Sequence, residues 1–175
     1  LSDLDARKKQ TLEATEAAED AWGAHVNELG GMTLMARANS WYMGANIPGK
    51  PQIGYDAEAS ERLLKRVRKV ITVPMGVKLP PYFDPAHHAA MGAVISRCGV
   101  DFLNLINSVG NGLVVDPEHE VVVIKPKGGF GGLGGMIIKP VALANVRAFW
   151  KIFEGRMPII GTGGVISGVD AFEHL

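Results

Sequence analysis

The chain has 175 residues, 47% hydrophobic and 21% charged, enough for one globular core of ordinary character. Its 18 basic residues balance 18 acidic ones, which argues against nucleic acid or an anionic membrane as a partner. No run approaches ~18 uninterrupted apolar residues, and the opening Leu1-Ser-Asp-Leu-Asp-Ala-Arg7 lacks the basic-then-apolar order of a secretory signal. A soluble cytoplasmic protein is therefore expected, and the single Cys98, which cannot form an internal disulfide, fits a reducing compartment. Leu1 is not an initiating methionine and Glu173-His-Leu175 falls inside a helical pattern, so both ends are expected to be cut from something longer.

Leu1 to Leu29 is rich in Ala and Glu and helix-prone, with only Trp22, Val26 and Leu29 as a short apolar stripe before Gly30-Gly31. Met32, Met35, Trp41 and Met43 follow as core or filler. Asp56 opens a helix through Lys69, with Leu63, Leu64 and Val67 on one face, acids leading and bases following as the helix dipole prefers. Val70 to Lys78 is β-branched and apolar and predicts a buried parallel strand in its second half. Asp84-Pro85 pairs an N-cap with a first-turn proline and starts a helix to about Cys98, itself a packing residue; His87-His88 reads as a solvated pair on that helix. Asp101 to Asn107 is a second strand. Lys139-Pro140 opens a helix with Leu143, Val146 and Trp150 at helical spacing, Met157 to Ile160 is a third, buried strand, and Ser167 to Asp170 leads into a last helix. Such alternation predicts a parallel α/β sheet, either doubly wound or a (β/α)8 barrel.

Between the second and third strands lies Asn111 to Pro126, where two β-branched runs flank Asp116-Pro-Glu118 and predict an inserted β-hairpin. Glycine then occupies six of the eight positions of Gly128-Gly-Phe-Gly-Gly-Leu-Gly-Gly135, a density that lets a backbone approach a ligand or simply makes a flexible loop. Gly161-Thr-Gly-Gly164 ends the third strand, and a glycine turn between strand and helix is expected to set backbone amides at a helix N-terminus, where they hold phosphate. The candidate site assembles from Lys78, Asn107-Ser108, Gly134-Gly135 and Gly163-Gly164. Taken singly, a lysine such as Lys78 is more often a solvated strand end, and Asn107-Ser108 more often ordinary turn formers. Their convergence at the ends of several strands favours a site.

Six ordered strings make the resemblance specific: Asn46-Ile-Pro-Gly-Lys-Pro-Gln-Ile-Gly-Tyr-Asp56, Gly76-Val-Lys-Leu-Pro-Pro-Tyr-Phe-Asp84, Asn107-Ser-Val-Gly-Asn-Gly112, Val122 to Gly135, Ala142-Leu-Ala-Asn-Val-Arg-Ala-Phe149 and Ile160-Gly-Thr-Gly-Gly164. Together they resemble dihydroorotate dehydrogenase, most closely its soluble, fumarate-using branch. The resemblance implies an FMN-binding (β/α)8 barrel that oxidises dihydroorotate to orotate in pyrimidine synthesis. Fumarate would be the electron acceptor and the intact enzyme a homodimer, with no nucleic-acid or membrane partner. It divides the chain into 1–45, without likeness, and 46–175, a partial barrel of about strands 4/5 to 7 carrying the hairpin. It further implies that Lys78, Ile106, Gly134, Gly135, Gly163 and Gly164 contact the flavin and its phosphate, while Asn46, Asn107 and Ser108 hydrogen-bond the substrate.

One departure bears on the chemistry. Where the family has Asn-Leu-Ser-Cys-Pro-Asn, with the cysteine as base at C5 of the substrate, this chain has Trp41-Tyr-Met-Gly-Ala-Asn46. Gly44 thus stands at the base position and cannot take a proton. The chain alone is accordingly expected to be inactive. A flavin barrel like that of dihydropyrimidine dehydrogenase, or a non-enzymatic fragment, are the alternative readings.

Overall fold

The computed structural model describes residues 53–70 and 74–175, the backbone of 126 and 127 and of the strand Ser40–Tyr42, and three helical positions, Ala6, Lys9 and Glu13. Gly44, Asn46, Met32, Met35, Met43 and the apolar stripe at Trp22 to Leu29 lie outside the described residues. The strands in chain order are β1 (Ser40–Tyr42), β2 (Gly76–Leu79), β3 (Phe102–Leu105), β4 (Val109–Leu113), β5 (Val115–Asp116), β6 (Val121–Val122), β7 (Phe130–Leu133) and β8 (Ile159–Gly161). The helices are α1 (Ala57–Val70), α2 (Pro85–Arg97), α3 (Lys139–Ile152) and the short α4 (Gly168–Glu173).

Strands β1, β2, β3 and β8 form one parallel sheet in that order, with Gly76 opposite Phe102 and Leu103 opposite Ile159. Each neighbour is the next strand of a β–α alternation, as the sequence predicts. Alternate side chains take opposite faces. Val77, Leu79, Leu103 and Leu105 are fully buried and share one core with Leu63, Leu64 and Val67 of α1, Met91, Val94 and Ile95 of α2, and Ala142 and Phe149 of α3. Lys78, Phe102, Asn104 and Ile160 occupy the other face and stay partly open, Ile160 by half of its surface. The third strand is therefore less buried than expected. Among the described residues the sheet is open and does not close on itself.

The helix starts follow local chemistry. Asp56 accepts from the Ala59 amide at 2.9 Å and Asp84 from the Ala86 amide at 2.7 Å, each satisfying an orphan donor of the first turn. At the amino ends of β2 and β3, Asp101 clasps the two strands. Its carboxylate accepts from the Met75 amide at 2.7 Å while its own amide donates to the Met75 carbonyl.

The expected hairpin is the tip of a longer ribbon. β5 pairs antiparallel with β6 around Asp116, and β4 pairs with β7 behind it, so Phe130–Leu133 of the glycine run is itself a strand. The packing of Gly131 against Ile124 and of Gly132 against Ser108 leaves no room for a Cβ. Those glycines serve the ribbon and not a loop.

Two expectations fail on the helix layer. The core stripe of α3 is Ala142, Asn145 and Phe149, while Leu143 and Val146 are only partly buried and Trp150 is exposed. Nor is His88 solvated: it is half-buried, and its ring packs on Tyr82 and Phe149. Asn145 explains both. Its side-chain oxygen accepts from the Tyr82 amide at 2.9 Å and lies 3.1 Å from His88 Nε2, and its amide donates to the carbonyls of Tyr82 at 3.0 Å and Val141 at 2.9 Å. The segment leaving β2 has buried polar backbone, and this side chain satisfies it. The Tyr82 hydroxyl donates to Gly54 and the Tyr55 hydroxyl to Pro81, pinning the same segment from the α1 side. Cys98 is buried in the core, where desolvation pushes its thiol pKa up, as fits a packing residue.

Asn145→Ala should cost about 2–4 kcal/mol, because it strands both the donor and the acceptor of Tyr82. Urea unfolding checks this, with His88→Ala as the milder comparison. A second expectation concerns pH. Glu61 on α1 accepts from Arg97 of α2 at 2.6 Å and from Lys65 at 2.7 Å, and these bonds, Arg97's first, lower its pKa from 4.5 to about 2. A carboxyl depressed by folding stabilises above its unfolded pKa and loses that contribution as pH falls. The stability gap between wild type and Glu61→Gln should therefore be complete above pH 4.5 and close toward pH 2, read from denaturation midpoints across that range.

Candidate functional site

The carboxyl ends of β2, β3 and β8 are tied together beyond the sheet itself. The Asn107 amide donates to the Leu79 carbonyl at 2.9 Å, the Ile106 amide to Thr162 at 3.1 Å, and the Thr162 amide back to Leu105 at 2.5 Å. These bonds bring Lys78, Ile106, Asn107, Ser108 and the Gly163-Gly164 turn to one end of the sheet. Lys78 is half-buried on the face away from the helices, in register with Asn104, and no carboxylate among the described residues pairs with it. Ile106 is buried, and Asn107 and Ser108 are half-buried, with the Asn107 amide 3.4 Å from the Ser108 hydroxyl.

Gly132 of β7 lies so close to Ser108 that a Cβ there would meet its hydroxyl at 2.4 Å, which seats the ribbon over this end. The chain then runs into Gly134 and Gly135, where a Cβ would meet nothing within 4 Å. Both present bare backbone to open space. Gly135 also approaches the other glycine turn: a Cβ on Gly164 would sit 3.1 Å from the Gly135 carbonyl and 2.5 Å from Lys139 Cβ. Gly163 and Gly164 have φ of 122° and 76°, conformations in which side chains are strained. One expectation is corrected here. The turn does not open a helix directly, since Val165 to Ser167 intervene and Ser167 caps α4, accepting from the Asp170 amide. Any anion at this turn would meet the turn's own amides and not those of the first turn of α4.

Sequence reasoning passed over Asn104, Thr162, Lys139 and Asp170. The Thr162 hydroxyl lies 3.2 Å from the Asn104 side-chain oxygen and 3.0 Å from the Ile106 carbonyl, bracing the strand end beside Lys78. The alternation of β3 would have put Asn104 on the face of Lys78. The Lys139–Asp170 contact joins residues 31 apart and has no sequence signal.

A family profile for dihydroorotate dehydrogenase matches residues 43–175. The chain belongs to the dihydroorotate dehydrogenase family. It is 58% identical over 130 residues to dihydroorotate dehydrogenase (fumarate) of Kluyveromyces lactis, covering 74% of this chain and 41% of that protein. Identity is also 58% to dihydroorotate dehydrogenase A (fumarate) of Lactococcus lactis subsp. cremoris, and 57% to the probable enzyme of the same name from Enterococcus faecalis, each covering 74% of this chain and 42% of the relative. The chain thus spans about two fifths of the length of these relatives. Both glycine turns and the ends of β2 and β3 fall inside the stretch matched to the family.

Gly164→Ala should destabilise the chain by about 1–3 kcal/mol, because the new methyl meets backbone and a helix-start Cβ at positive φ. Gly134→Ala, at φ −134° in open space, should shift the melting midpoint by no more than about 0.5 kcal/mol equivalent. Thermal unfolding of the two variants side by side checks the contrast.

Proposed function

We propose that the complete protein oxidises dihydroorotate to orotate in pyrimidine biosynthesis, using FMN and passing electrons to fumarate, and that this chain contributes one side of the site. The observation that carries the reading is the joining of Lys78, Ile106 to Ser108 and Gly163-Gly164 at one sheet end, in a chain 58% identical to fumarate-named relatives. Four parallel strands in chain order, with α1, α2 and α3 sharing one buried core with one face, suit a barrel wall better than a doubly wound sheet, which carries helices on both faces. The whole would be a (β/α)8 barrel, cytoplasmic and dimeric.

The residues present fit a flavin mononucleotide. Gly134 and Gly135 leave space where a side chain would otherwise stand, and Gly163 and Gly164 turn their backbone at positive φ beside them. When bound, the flavin supplies a hydride acceptor. Lys78 would stabilise negative charge gathering on the cofactor's pyrimidine edge. Ile106 offers an apolar surface to a flat ring, and the turn amides at 163 and 164 suit a phosphate. Asn107, Ser108 and Asn46 carry the donors and acceptors that a small ring with amide and carboxylate groups needs. Gly44 brings no base, so proton removal from the substrate would be slow.

The test is a chimera in which residues 41–175 replace the matching stretch of a complete relative. It should hold flavin, bind orotate and oxidise dihydroorotate slowly. Gly44→Cys should raise the rate ~10²–10⁴-fold, more at high pH, since the thiolate is the competent base. Lys78→Ala should lower flavin reduction with or without the cysteine. A Gly44→Cys chimera that holds flavin yet neither binds orotate nor forms it would overturn the reading.

A further inference from the structure

Lys139 begins α3, where its cation faces the positive end of the helix dipole, yet only 15% of its side chain is exposed. Asp170, 7% exposed, holds it at 2.5 Å, and Glu173 makes a second close ion pair. Asp170 also accepts from the Ser167 hydroxyl at 2.6 Å and the Ile166 amide at 3.2 Å. It therefore grips both Lys139 and the loop that follows the glycine turn. The stem of Lys139 completes the arrangement, for its Cβ fills the space that a side chain on Gly164 would need. In this way one ion pair presses residues 163–170 against the start of α3 and, through Gly164, against Gly135.

We propose that Lys139 and Asp170 are positioning residues whose ion pair holds the Gly163-Gly164 turn in its anion-accepting shape before any ligand arrives. This rests on the flavin reading above for the identity of the anion, a flavin phosphate. Lys139 itself is not the phosphate's counter-ion. Two carboxylates already cover its single ammonium, so the cluster is net negative and only the turn amides are left to meet an anion. Breaking the pair from either side must then loosen the turn in the same way. A lysine serving as a direct ligand would behave oppositely, since freeing it from Asp170 would strengthen its hold on phosphate.

The test uses Asp170→Asn, Lys139→Met, Lys139→Arg and the Lys139→Met/Asp170→Asn double variant of this chain, with two readouts. In the absence of flavin, amide hydrogen exchange at Gly163, Gly164 and Val165 should speed at least about tenfold in D170N and K139M and be largely restored in K139R, with α1 and α2 unchanged. The double variant should be no worse than either single one, because the two residues act as one unit. In the chimera of residues 41–175 with a complete relative, titration with FMN and with riboflavin should show D170N and K139M lowering the FMN-to-riboflavin affinity ratio while riboflavin binding holds. Unchanged exchange in D170N would overturn the proposal, as would a higher FMN-to-riboflavin ratio in that variant, which would make Lys139 a direct ligand. Faster exchange in this chain, with a chimera that binds neither flavin, would uphold the clasp and count against the flavin reading.

Discussion

Three backbone hydrogen bonds beyond the strand ends, from Asn107 to Leu79, Ile106 to Thr162 and Thr162 to Leu105, govern what this end of the molecule can do. A parallel sheet positions residues accurately only while its ladder lasts, and side chains on the exit segments would otherwise belong to independent loops. Here the ladder continues one or two residues further. Ile106, Asn107 and Thr162 inherit the rigidity of the strands although they lie outside them, and Lys78 keeps a fixed relation to all three.

The helix layer supports that arrangement through one polar group. Residues 80–82 leave β2 through buried surroundings in which free backbone donors and acceptors would be costly. Asn145 satisfies Tyr82 on both its polar groups from α3, while Tyr55 and Tyr82 fasten the same segment through their hydroxyls. The core is thus specified by hydrogen bonding as well as by volume, and the strand end carrying Lys78 is held from behind.

Much of the framework was legible in the sequence because its signals are local. Asp56, Asp84-Pro85 and Lys139-Pro140 mark helix starts within a residue, and the Leu63, Leu64, Val67 stripe packs as its spacing requires. The residues that were misread depend on partners far along the chain. Asn145 turns the buried face of α3 away from Leu143 and Trp150 because Tyr82, 63 residues earlier, needs it. His88 is drawn inward by the same contact. The glycine run misleads in a different way, since Gly131 and Gly132 are small to let ribbon side chains pass, whereas Gly134 and Gly135 face open space. Composition cannot separate these two uses of glycine. The gathering of strand ends into one place was legible from the α/β alternation, whereas the ion pair that braces it was not.

The sheet order β1, β2, β3, β8 has a consequence for how such a chain is made. Each strand pairs with its predecessor in the alternation, so the sheet grows outward as synthesis proceeds and always presents one fresh, unpaired edge. The ribbon and α3 together separate β3 from β8 by more than fifty residues, during which the β3 edge, with the apolar Phe102 beside it, has no sheet partner. A nascent edge of this kind is a template for pairing with other chains. The ribbon itself forms from contacts close in sequence and can fold while the edge waits, so an insertion that builds one wall of the site also lengthens the longest pause in assembling the sheet.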